Sequence, residues 1–375
     1  MGLIKDKIYY TYEDVTIIPS VISDVEHRSE CIPFDDNGML PLFTAPMDTV
    51  INEKNFSLFE ENHINAILPR TEPLEKRIEY SVNGKWAAYS LNEFSYVFCN
   101  AENKLSSNDK IKALIDVANG HMKKIFELAD KSKQIYGESL QLMGGNIANP
   151  ETYKLYLEHG FWGVRCGIGG GCGCITSSNT SIHYPIASLL LEIHKIKEKM
   201  VENGFRKERL TKVIADGGVR NYCDVIKAVG ALGADYVMIG SVFAKMFESA
   251  SQKVYGTMLG IDINSFRDLH YYGNHVGWEG TYEGKKYHIG PVYATFYGMA
   301  SREGQIAING AKTKTSEGVK KTLEVEYTMS GWTNNLIDYL RSAMSYTNCH
   351  NIKEFNPNNV NSIIISPKAQ KSINK

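Results

Sequence analysis

The most unusual stretch of the sequence is a glycine-rich segment that contains two cysteines. Residues 167–174 read GIGGGCGC, and Ile175 and Thr176 follow. Five glycines in the seven positions 167–173 let the backbone adopt positive φ and approach a ligand closely. The segment is not the dinucleotide-binding fingerprint, because cysteine fills the third glycine position. It is not a Walker A loop either, because it lacks the Gly-Lys-Ser/Thr ending.

Three kinds of chemistry are open to the cysteines of this segment. A metal site would use Cys166, Cys172 and Cys174 with His183, but their spacing fits no common zinc or iron–sulfur pattern. A buried structural thiol is the usual role of cysteine in a protein interior. A nucleophile is the third, since backbone N–H groups and a nearby hydroxyl in such a loop favour a thiolate. Spacing alone leaves the structural thiol and the nucleophile equally open.

Two later apolar runs end in residues that are suited to holding a phosphate. Asp216-Gly217-Gly218 follows one run and Gly240-Ser241 follows the next. Backbone N–H groups at such turns bind phosphate, and in α/β barrels this site often follows the last two strands. Asp216 is also suited to accept hydrogen bonds from a ribose diol. The alternative is a pair of tight turns that need glycine for geometry only.

The elements that would position these residues alternate between β-rich apolar runs and helical patterns. In residues 223–233, Val225, Ile226 and Val229 recur at helical spacing. The candidate strands are 40–47, 64–68, 94–100, 113–120, 140–146, 160–171, 211–218 and 234–241. Such alternation is typical of a parallel sheet, and eight strands close a (β/α)8 TIM barrel. We predict this α/β barrel, with an open doubly wound sheet as the alternative, and expect the residues after each strand to share one mouth.

Three parts of the chain, residues 1–39, 250–292 and 301–325, fall outside this alternation, although we expect residues 1–375 to form a single barrel domain. Residues 302–318 have few large apolar side chains and two internal glycines. They are a candidate mobile flap over the mouth, because they cannot anchor themselves by burial; an ordinary surface loop is the alternative. The aromatic residues of 260–288 are expected to lie on a surface excursion.

Composition and charge exclude several classes of protein. Lys and Arg number 41 and Asp and Glu number 42, so a net charge of −1 provides no field to hold a nucleic acid. No apolar run reaches the ~18–20 residues that cross a bilayer, and the N-terminus lacks the apolar core of a signal peptide. Seven cysteines at low density favour a reducing compartment. We expect a cytoplasmic protein that binds neither nucleic acid nor membranes.

Several motifs occur in the order found in the IMP dehydrogenase/GMP reductase family, which the sequence resembles over nearly its whole length. They are YEDV (12–15), TAPMDT (44–49), DVANGH (116–121), GN (145–146), CIT (174–176), IADGG (214–218), MIGS (238–241) and FYGM (296–299). The resemblance implies a (β/α)8 barrel, usually a homotetramer, that takes a purine mononucleotide, GMP or IMP.

Within the family, the sequence resembles the reductase branch more than the dehydrogenase branch. Dehydrogenases usually carry two CBS modules after the second strand, and the run from residue 68 to residue 94 leaves no room for them. Dehydrogenases also place an Arg-Tyr pair in the flap to activate water, and no Arg-Tyr dipeptide occurs in 302–318. The stretches 116–120, 296–299 and 316–318 and Tyr184-Pro185 look like the reductase.

The resemblance implies NADPH-dependent reductive deamination of GMP to IMP and ammonia, through a thioimidate between Cys174 and C2 of the purine. Thr176 and Glu317 would assist the departure of ammonia. The ribose phosphate would contact Asp216, Gly218, Gly240, Ser241 and Tyr297, and the base would contact Ala45, Met47, Gly298 and Met299. The cofactor would contact Arg70, Asp116 and Asn146. The carbonyls of Gly169 and Gly171 would bind a potassium ion. The alternatives are an IMP dehydrogenase without CBS modules, which makes XMP with NAD, and a non-catalytic nucleotide-binding barrel.

Two positions depart from the family pattern. Cys172 and Gly173 replace the small-then-apolar pair that usually precedes the nucleophile, and a second thiol therefore stands two residues from Cys174. Arg70 stands where many reductases have a lysine-bearing strand end, so the cofactor contacts expected there differ from the family pattern.

Overall fold

A computed structural model describes residues 7–255, 261–262, 265–273, 276–310, 314–367 and 369–370. At its centre lies a parallel sheet of eight strands. They are β2 (Leu42–Thr44), β3 (Ile67–Leu68), β4 (Trp86–Tyr89), β5 (Ile111–Ile115), β6 (Leu140–Ile147), β7 (Gly163–Cys166), β8 (Lys212–Asp216) and β9 (Tyr236–Ile239). Their order is β2-β9-β8-β7-β6-β5-β4-β3, and Phe43 of β2 pairs in parallel with Asn65 just before β3. This pairing closes the sheet, which confirms the predicted (β/α)8 barrel.

The helices pack around the barrel and follow its strands along the chain. They are α1 (Phe56–Glu61), α2 (Leu74–Val82), α3 (Leu91–Phe98), α4 (Lys123–Tyr136), α5 (Thr152–Glu158), α6 (Thr176–Thr180), α7 (Ile186–Glu202), α8 (Tyr222–Gly230), α9 (Ser241–Ala244), α10 (Arg302–Asn309) and α11 (Met329–Tyr346). In α7, for example, Ile186, Leu189, Leu190 and Ile193 are buried at the i, i+3, i+4, i+7 spacing of an apolar helix face. No helix in the described ranges has the length and apolarity needed to cross a membrane.

Large side chains fill the inside of the barrel. Phe43 and Trp86 pack edge to face with ring centroids 6.0 Å apart, and the rings of Trp162 and Tyr236 lie nearby, tilted by 40° to each other. Met143, Ile214 and other apolar residues complete this interior cluster. The barrel is therefore a packed core rather than a pore, and ligand chemistry is confined to its open end.

The prediction of a strand over 94–100 is wrong. Residues 94–98 belong to α3, which ends at Phe98, and the strand that fills this place in the barrel is β4, slightly earlier in the chain. Phe94, Val97 and Phe98 are buried at the i, i+3, i+4 spacing of a helix. A short apolar run is also consistent with a buried strand, so its pattern does not distinguish the two. The deciding signal is a capping box: Ser90 accepts from the backbone N–H of Glu93, and the Glu93 carboxylate accepts from the backbone N–H of Ser90.

Between β3 and β4 the chain forms only α2, so no further module is inserted there. The extra residues lie after the barrel instead, in two three-stranded antiparallel sheets. Their strands are β10 (Lys253–Tyr255), β11 (Arg267–Tyr271), β12 (Trp278–Tyr282), β13 (Lys285–Gly290), β14 (Val292–Tyr297) and β15 (Lys320–Glu324). The order is β10-β14-β15 in one sheet and β11-β12-β13 in the other.

The aromatic residues of 260–288 have a packing role in these sheets. Trp278, Phe266 and Ile289 are buried in a small core of their own, and Trp278 donates its ring N–H to the carbonyl of Val325. Residues 260, 263–264 and 274–275 of the predicted excursion lie outside the described residues. At the two ends of the chain, β1 (Val15–Ile17) pairs antiparallel with β16 (Ser362–Ile364).

Replacing Glu93 by glutamine tests the charge of Glu93, which accepts hydrogen bonds from Arg77 and from the cap of α3, while leaving an amide oxygen that can still accept at the cap. Burial opposes ionisation of Glu93, but hydrogen bonds from Arg77 and Ser90 outweigh it and lower the pKa of the carboxyl to about 2, from an ordinary value of 4.5. Because the folded-state pKa is the lower one, the stabilisation is complete above pH 4.5 and is lost as the pH falls toward 2. At neutral pH we expect Glu93→Gln to lower the free energy of unfolding by about 1–2 kcal/mol, after allowance for partial exposure.

Urea unfolding of the wild type and the variant, from about pH 7 down to about pH 3, measures this difference. The matched control is Glu127→Gln, which removes an exposed pair with Lys124 at 3.5 Å and should cost less than about 0.5 kcal/mol. If the difference in the free energy of unfolding between the wild type and Glu93→Gln does not shrink in acid, the pKa of Glu93 is not lowered in the folded protein.

Candidate active site

The carboxyl ends of the barrel strands surround a cavity of about 900 Å³. Cavities of this size are in the upper range of those that hold small ligands and cofactors. Fourteen of the residues predicted from the sequence line it: Ala45, Met47, Arg70, Asp116, Asn146, Gly169, Gly171, Cys174, Asp216, Gly218, Gly240, Ser241, Gly298 and Met299. The predicted common mouth is therefore present, because parallel strands deliver the residues that follow them to the same end of the barrel.

Cys174 begins a short chain of hydrogen bonds at this cavity. Its thiol donates to Oγ1 of Thr176 at 3.3 Å, and Thr176 in turn donates to Oε2 of Glu317 at 2.7 Å. Thr176 and Glu317 are 141 positions apart in the sequence, so only the fold brings them together. A thiol, a hydroxyl and a carboxylate in this order can pass a proton between the sulfur and the carboxylate.

The segment around Glu317 is fixed to the cysteine loop by backbone hydrogen bonds. Ile175 donates to the carbonyl of Glu317 at 2.9 Å, and Val319 donates to the carbonyl of Gly173 at 3.0 Å. Cys174 and Gly318 form an antiparallel bridge between these two bonds. The C-terminal end of the predicted flap, 302–318, is thus held beside the thiol. Its first part forms α10, and its residues 311–313 lie outside the described residues.

Arg165 of β7 connects two of the strand ends across the floor of the cavity. Its Nη1 donates to Asp116 at 2.5 Å, and its Nε and Nη2 donate to Oδ2 of Asp216 at 3.0 and 2.9 Å. Burial opposes the charge on Arg165, but the carboxylates of Asp216 and Asp116 outweigh it and raise the pKa of the guanidinium. Arg165 therefore stays charged and fixes both carboxylates.

Glycine lets these groups approach one another. A Cβ at Gly145, where φ is +131°, would lie 2.7 Å from Cβ of Arg165. A Cβ at Gly167, where φ is +130°, would lie 2.2 Å from the carbonyl oxygen of Asp216. Neither position has room for a side chain. Between them, the amide of Asn146 donates to the carbonyl of Gly167 at 2.8 Å and to Asp216 at 2.6 Å.

Two buried polar atoms at the cavity have no hydrogen-bond partner among the described residues: the hydroxyl of Tyr12 and Nε of Arg70. Both residues line the cavity, and the side chain of Tyr12 is nearly fully buried. Buried donors are rarely left unsatisfied in folded proteins. Nε of Arg70 lies 4.0 Å from Oε2 of Glu93, too far for a hydrogen bond. Unsatisfied donors on residues that line a cavity are suited to bind a polar ligand.

Tyr297 does not line the cavity. Its hydroxyl donates to Oδ2 of Asp48 at 2.8 Å, and burial together with this bond to Asp48 raises the pKa of the phenol. A tyrosine hydroxyl has one proton to donate. The predicted contact between Tyr297 and a nucleotide phosphate therefore requires the hydroxyl to turn away from Asp48, and it stays a prediction.

Sequence reasoning missed Arg165 and Tyr12. Arg165 is the single charged residue of the apolar strand β7, and a buried charge needs partners. That signal was sufficient to expect acidic residues on neighbouring strands. The orphan hydroxyl of Tyr12 has no such signal, because only the packed structure shows that its partners are missing.

Replacing Arg165 by methionine tests the bridge. We expect the free energy of unfolding to fall by about 3–5 kcal/mol, because two partly buried carboxylates lose their common cation. The free energy of unfolding of Arg165→Lys should lie between those of the wild type and Arg165→Met, since an ammonium lacks the planar fork with which a guanidinium reaches both carboxylates. Arg220→Met is the control: Arg220 pairs with Glu13 at the surface, and its loss should cost no more than about 1 kcal/mol. Equal stability of Arg165→Met and the wild type in urea would contradict the role of Arg165.

Comparison with known proteins identifies the family. The model of the IMP dehydrogenase / GMP reductase domain matches residues 104–373. GMP reductase of Staphylococcus aureus (strain JH9) is 31% identical over 261 residues, which are 65% of this chain and 74% of that protein. GMP reductase of Bacillus subtilis (strain 168) is 30% identical over 260 residues, with the same shares covered. The chain therefore belongs to the IMP dehydrogenase/GMP reductase family.

Proposed function

We propose that this protein is an oxidoreductase, a GMP reductase, which converts GMP to IMP and ammonia with a reduced nicotinamide dinucleotide. The observation that carries the proposal is the hydrogen-bonded chain of Cys174, Thr176 and Glu317 at the edge of a cavity large enough for a nucleotide. The names of the similar proteins from S. aureus and B. subtilis support the choice of reaction.

The chain of three residues supplies both the nucleophile and the proton for the first step. The Cys174 sulfur bonds to C2 of the purine, and the bond from C2 to the amino nitrogen breaks. The thiol proton passes through Thr176 to Glu317 and is returned to the departing nitrogen, which leaves as ammonia. General acid–base assistance of this kind contributes ~10²–10⁴ in rate. Covalent attachment replaces one difficult displacement by two easier steps.

The strand ends would hold the ribose phosphate. The hydrogen bonds of Asp216 described above all reach Oδ2, which leaves Oδ1 to accept from a ribose hydroxyl. Backbone N–H groups at Gly218, Gly240 and Ser241 would bind the phosphate oxygens. Ala45, Met47, Gly298 and Met299 line the part of the cavity that the base would occupy. Tyr297 would join the phosphate contacts after turning from Asp48.

We propose that a nicotinamide dinucleotide binds at the remaining side of the cavity. Arg70, Asp116 and Asn146 line the cavity, and Nε of Arg70 makes no hydrogen bond to the described residues. When bound, the reduced nicotinamide supplies the hydride that C2 accepts as the bond to Cys174 breaks. We propose NADPH as the donor. On this chain, Arg165 holds the Asp116 carboxylate in place for that ligand.

The residues beside the thiol favour reduction over hydrolysis of the covalent intermediate. The backbone next to Cys174 carries Glu317, and no Arg-Tyr pair that would activate water occurs in 302–318. We propose that the described parts of the flap, 302–310 and 314–318, close over the cavity and exclude water during the hydride transfer, since few large side chains anchor them.

Other expectations from the family stay proposals. The carbonyls of Gly169 and Gly171 each accept one hydrogen bond, from Ser177 and from Cys174, so each keeps a lone pair for a potassium ion. We further propose one barrel domain over residues 1–375, a homotetramer and a cytoplasmic location.

An absorbance assay of the purified protein tests the proposed reaction. We expect the absorbance of the reduced cofactor to fall with GMP, faster with NADPH than with NADH, and release of ammonia in equal amount. Cys174→Ala should abolish turnover because Cys174 is the thiol that is hydrogen-bonded to Thr176 and through it to Glu317, whereas Cys172→Ala should retain it.

Three outcomes would overturn the proposal. Reduced cofactor formed from IMP and NAD would assign the dehydrogenase reaction instead. No turnover in either direction would leave a nucleotide-binding barrel. Loss of turnover in Cys172→Ala but not in Cys174→Ala would assign the nucleophile to the wrong thiol.

A further inference from the structure

The second thiol of the glycine-rich loop, Cys172, has no part in the proposed reaction. It is exposed, and Nζ of Lys321 donates to its sulfur at 3.4 Å. Lys321 lies 149 positions away on β15, so the fold rather than the local sequence places an ammonium beside this sulfur. Cationic neighbours and access to solvent are the conditions under which a cysteine reacts with oxidants.

The loop also brings Cys172 close to Cys174. The backbone N–H of Cys174 donates to the carbonyl of Gly171 at 3.0 Å, which closes a turn with Cys172 and Gly173 at its two central positions. The chain thus reverses direction between the two thiols. Two Cα atoms separated by one residue in a turn fall within the roughly 4.4–6.8 Å that a disulfide spans. Glycine at 173 places no side chain between the two sulfurs.

We propose that Cys172 is a thiol-modification site for hydrogen peroxide or an organic hydroperoxide, and that its oxidation leads to a reversible Cys172–Cys174 disulfide. The Cys172 sulfur attacks one peroxide oxygen, the O–O bond breaks, and Cys172 becomes a sulfenic acid while water or an alcohol leaves. The Cys174 sulfur then attacks the sulfur of Cys172, the S–O bond breaks, and a second water leaves with the Cys174 proton. Two thiols lose two electrons in total, and the peroxide gains them.

The disulfide would remove the proposed nucleophile from use and at the same time protect it. Cys174 in a disulfide cannot attack a purine, and it cannot be oxidised further to the irreversible sulfinic acid. A thiol such as dithiothreitol or glutathione would restore it, because a disulfide in so small a ring is readily reduced. This consequence for activity rests on the proposed function; the disulfide itself does not.

The other described cysteines are less accessible or lack a neighbouring cysteine in a turn: Cys31 and Cys349 are buried, and Cys99 is partly buried. Cys166 is fully buried, and burial raises the pKa of its thiol, which keeps it protonated and out of reach of solvent. Cys223 is exposed but has no second cysteine within the same turn; its sulfur contacts Asn221. Cys223→Ser is therefore a matched control for an exposed thiol.

The test treats the full chain with hydrogen peroxide, alkylates the remaining thiols and analyses the peptide that contains residues 166–195 by mass spectrometry. We expect a loss of two hydrogen atoms, with fragment ions that join Cys172 to Cys174 and leave Cys166 alkylated. Dithiothreitol should reverse both the mass change and the loss of activity, with activity compared to each variant's own untreated sample. Cys223→Ser should behave like the wild type.

Two variants distinguish formation of the Cys172–Cys174 disulfide from direct oxidation of Cys174 alone. Cys172→Ser should form no internal disulfide, and its Cys174 should proceed to the sulfinic acid without recovery. Lys321→Gln should form the disulfide more slowly than Lys320→Gln, whose side chain lies on the opposite face of β15. The proposal is overturned by oxidation confined to Cys174, by a disulfide between two chains, or by a reversible loss of activity in Cys172→Ser equal to that of the wild type. These mass readouts hold even if GMP is not the substrate.

Discussion

The site depends on one buried cation that bridges two strand ends. Arg165 contacts Asp116 after β5 and Asp216 at the end of β8, and it crosses β6 where Gly145 leaves room for its side chain. Without that cation, two carboxylates at a half-enclosed cavity would repel each other and any nucleotide phosphate. With it, the floor of the cavity has fixed acceptors, and Asn146 reinforces the arrangement by a further bond to Asp216. Rigid acceptors on a barrel bind a sugar without paying to reorganise.

The proposed nucleophile, Cys174, is held differently, by backbone hydrogen bonds rather than by charge. The glycine-rich loop has few large side chains, and a segment distant in sequence supports it in addition to the loop's own hydrogen bonds. Residues 317–319 pair with 173–175 and bring Glu317 to Thr176 and hence to Cys174. A segment that belongs to the candidate flap therefore completes the reactive group. A movement of residues 317–319 away from the cysteine loop would take the Glu317 carboxylate away from Thr176 and Cys174, which links the position of this segment to readiness for reaction.

Much of this architecture could be predicted from the sequence, and the failures have physical reasons. Apolar runs that end in Gly, Asn or Asp located most barrel strands, because buried parallel strands must be apolar and their turns need small residues. Residues 94–100 were wrongly predicted as a strand because a short apolar segment fits the periodicity of a strand and of a helix. The Ser90–Glu93 cap is the signal that distinguishes the helix. The contact between Thr176 and Glu317 was expected from family resemblance alone, since no local pattern connects residues so far apart. Arg165 was overlooked although a lone charge in a buried strand requires a partner.

In the proposed reaction, the Cys174 sulfur becomes bonded to the purine during turnover. Mixing the protein with GMP without reduced cofactor, quenching in acid and measuring the intact mass detects such a bond. We expect a protein heavier by the mass of GMP less that of ammonia, with the added mass on Cys174 after peptide mapping. An unmodified protein that nevertheless turns over GMP once cofactor is added, or an adduct on a residue other than Cys174, would show that Cys174 is not the nucleophile.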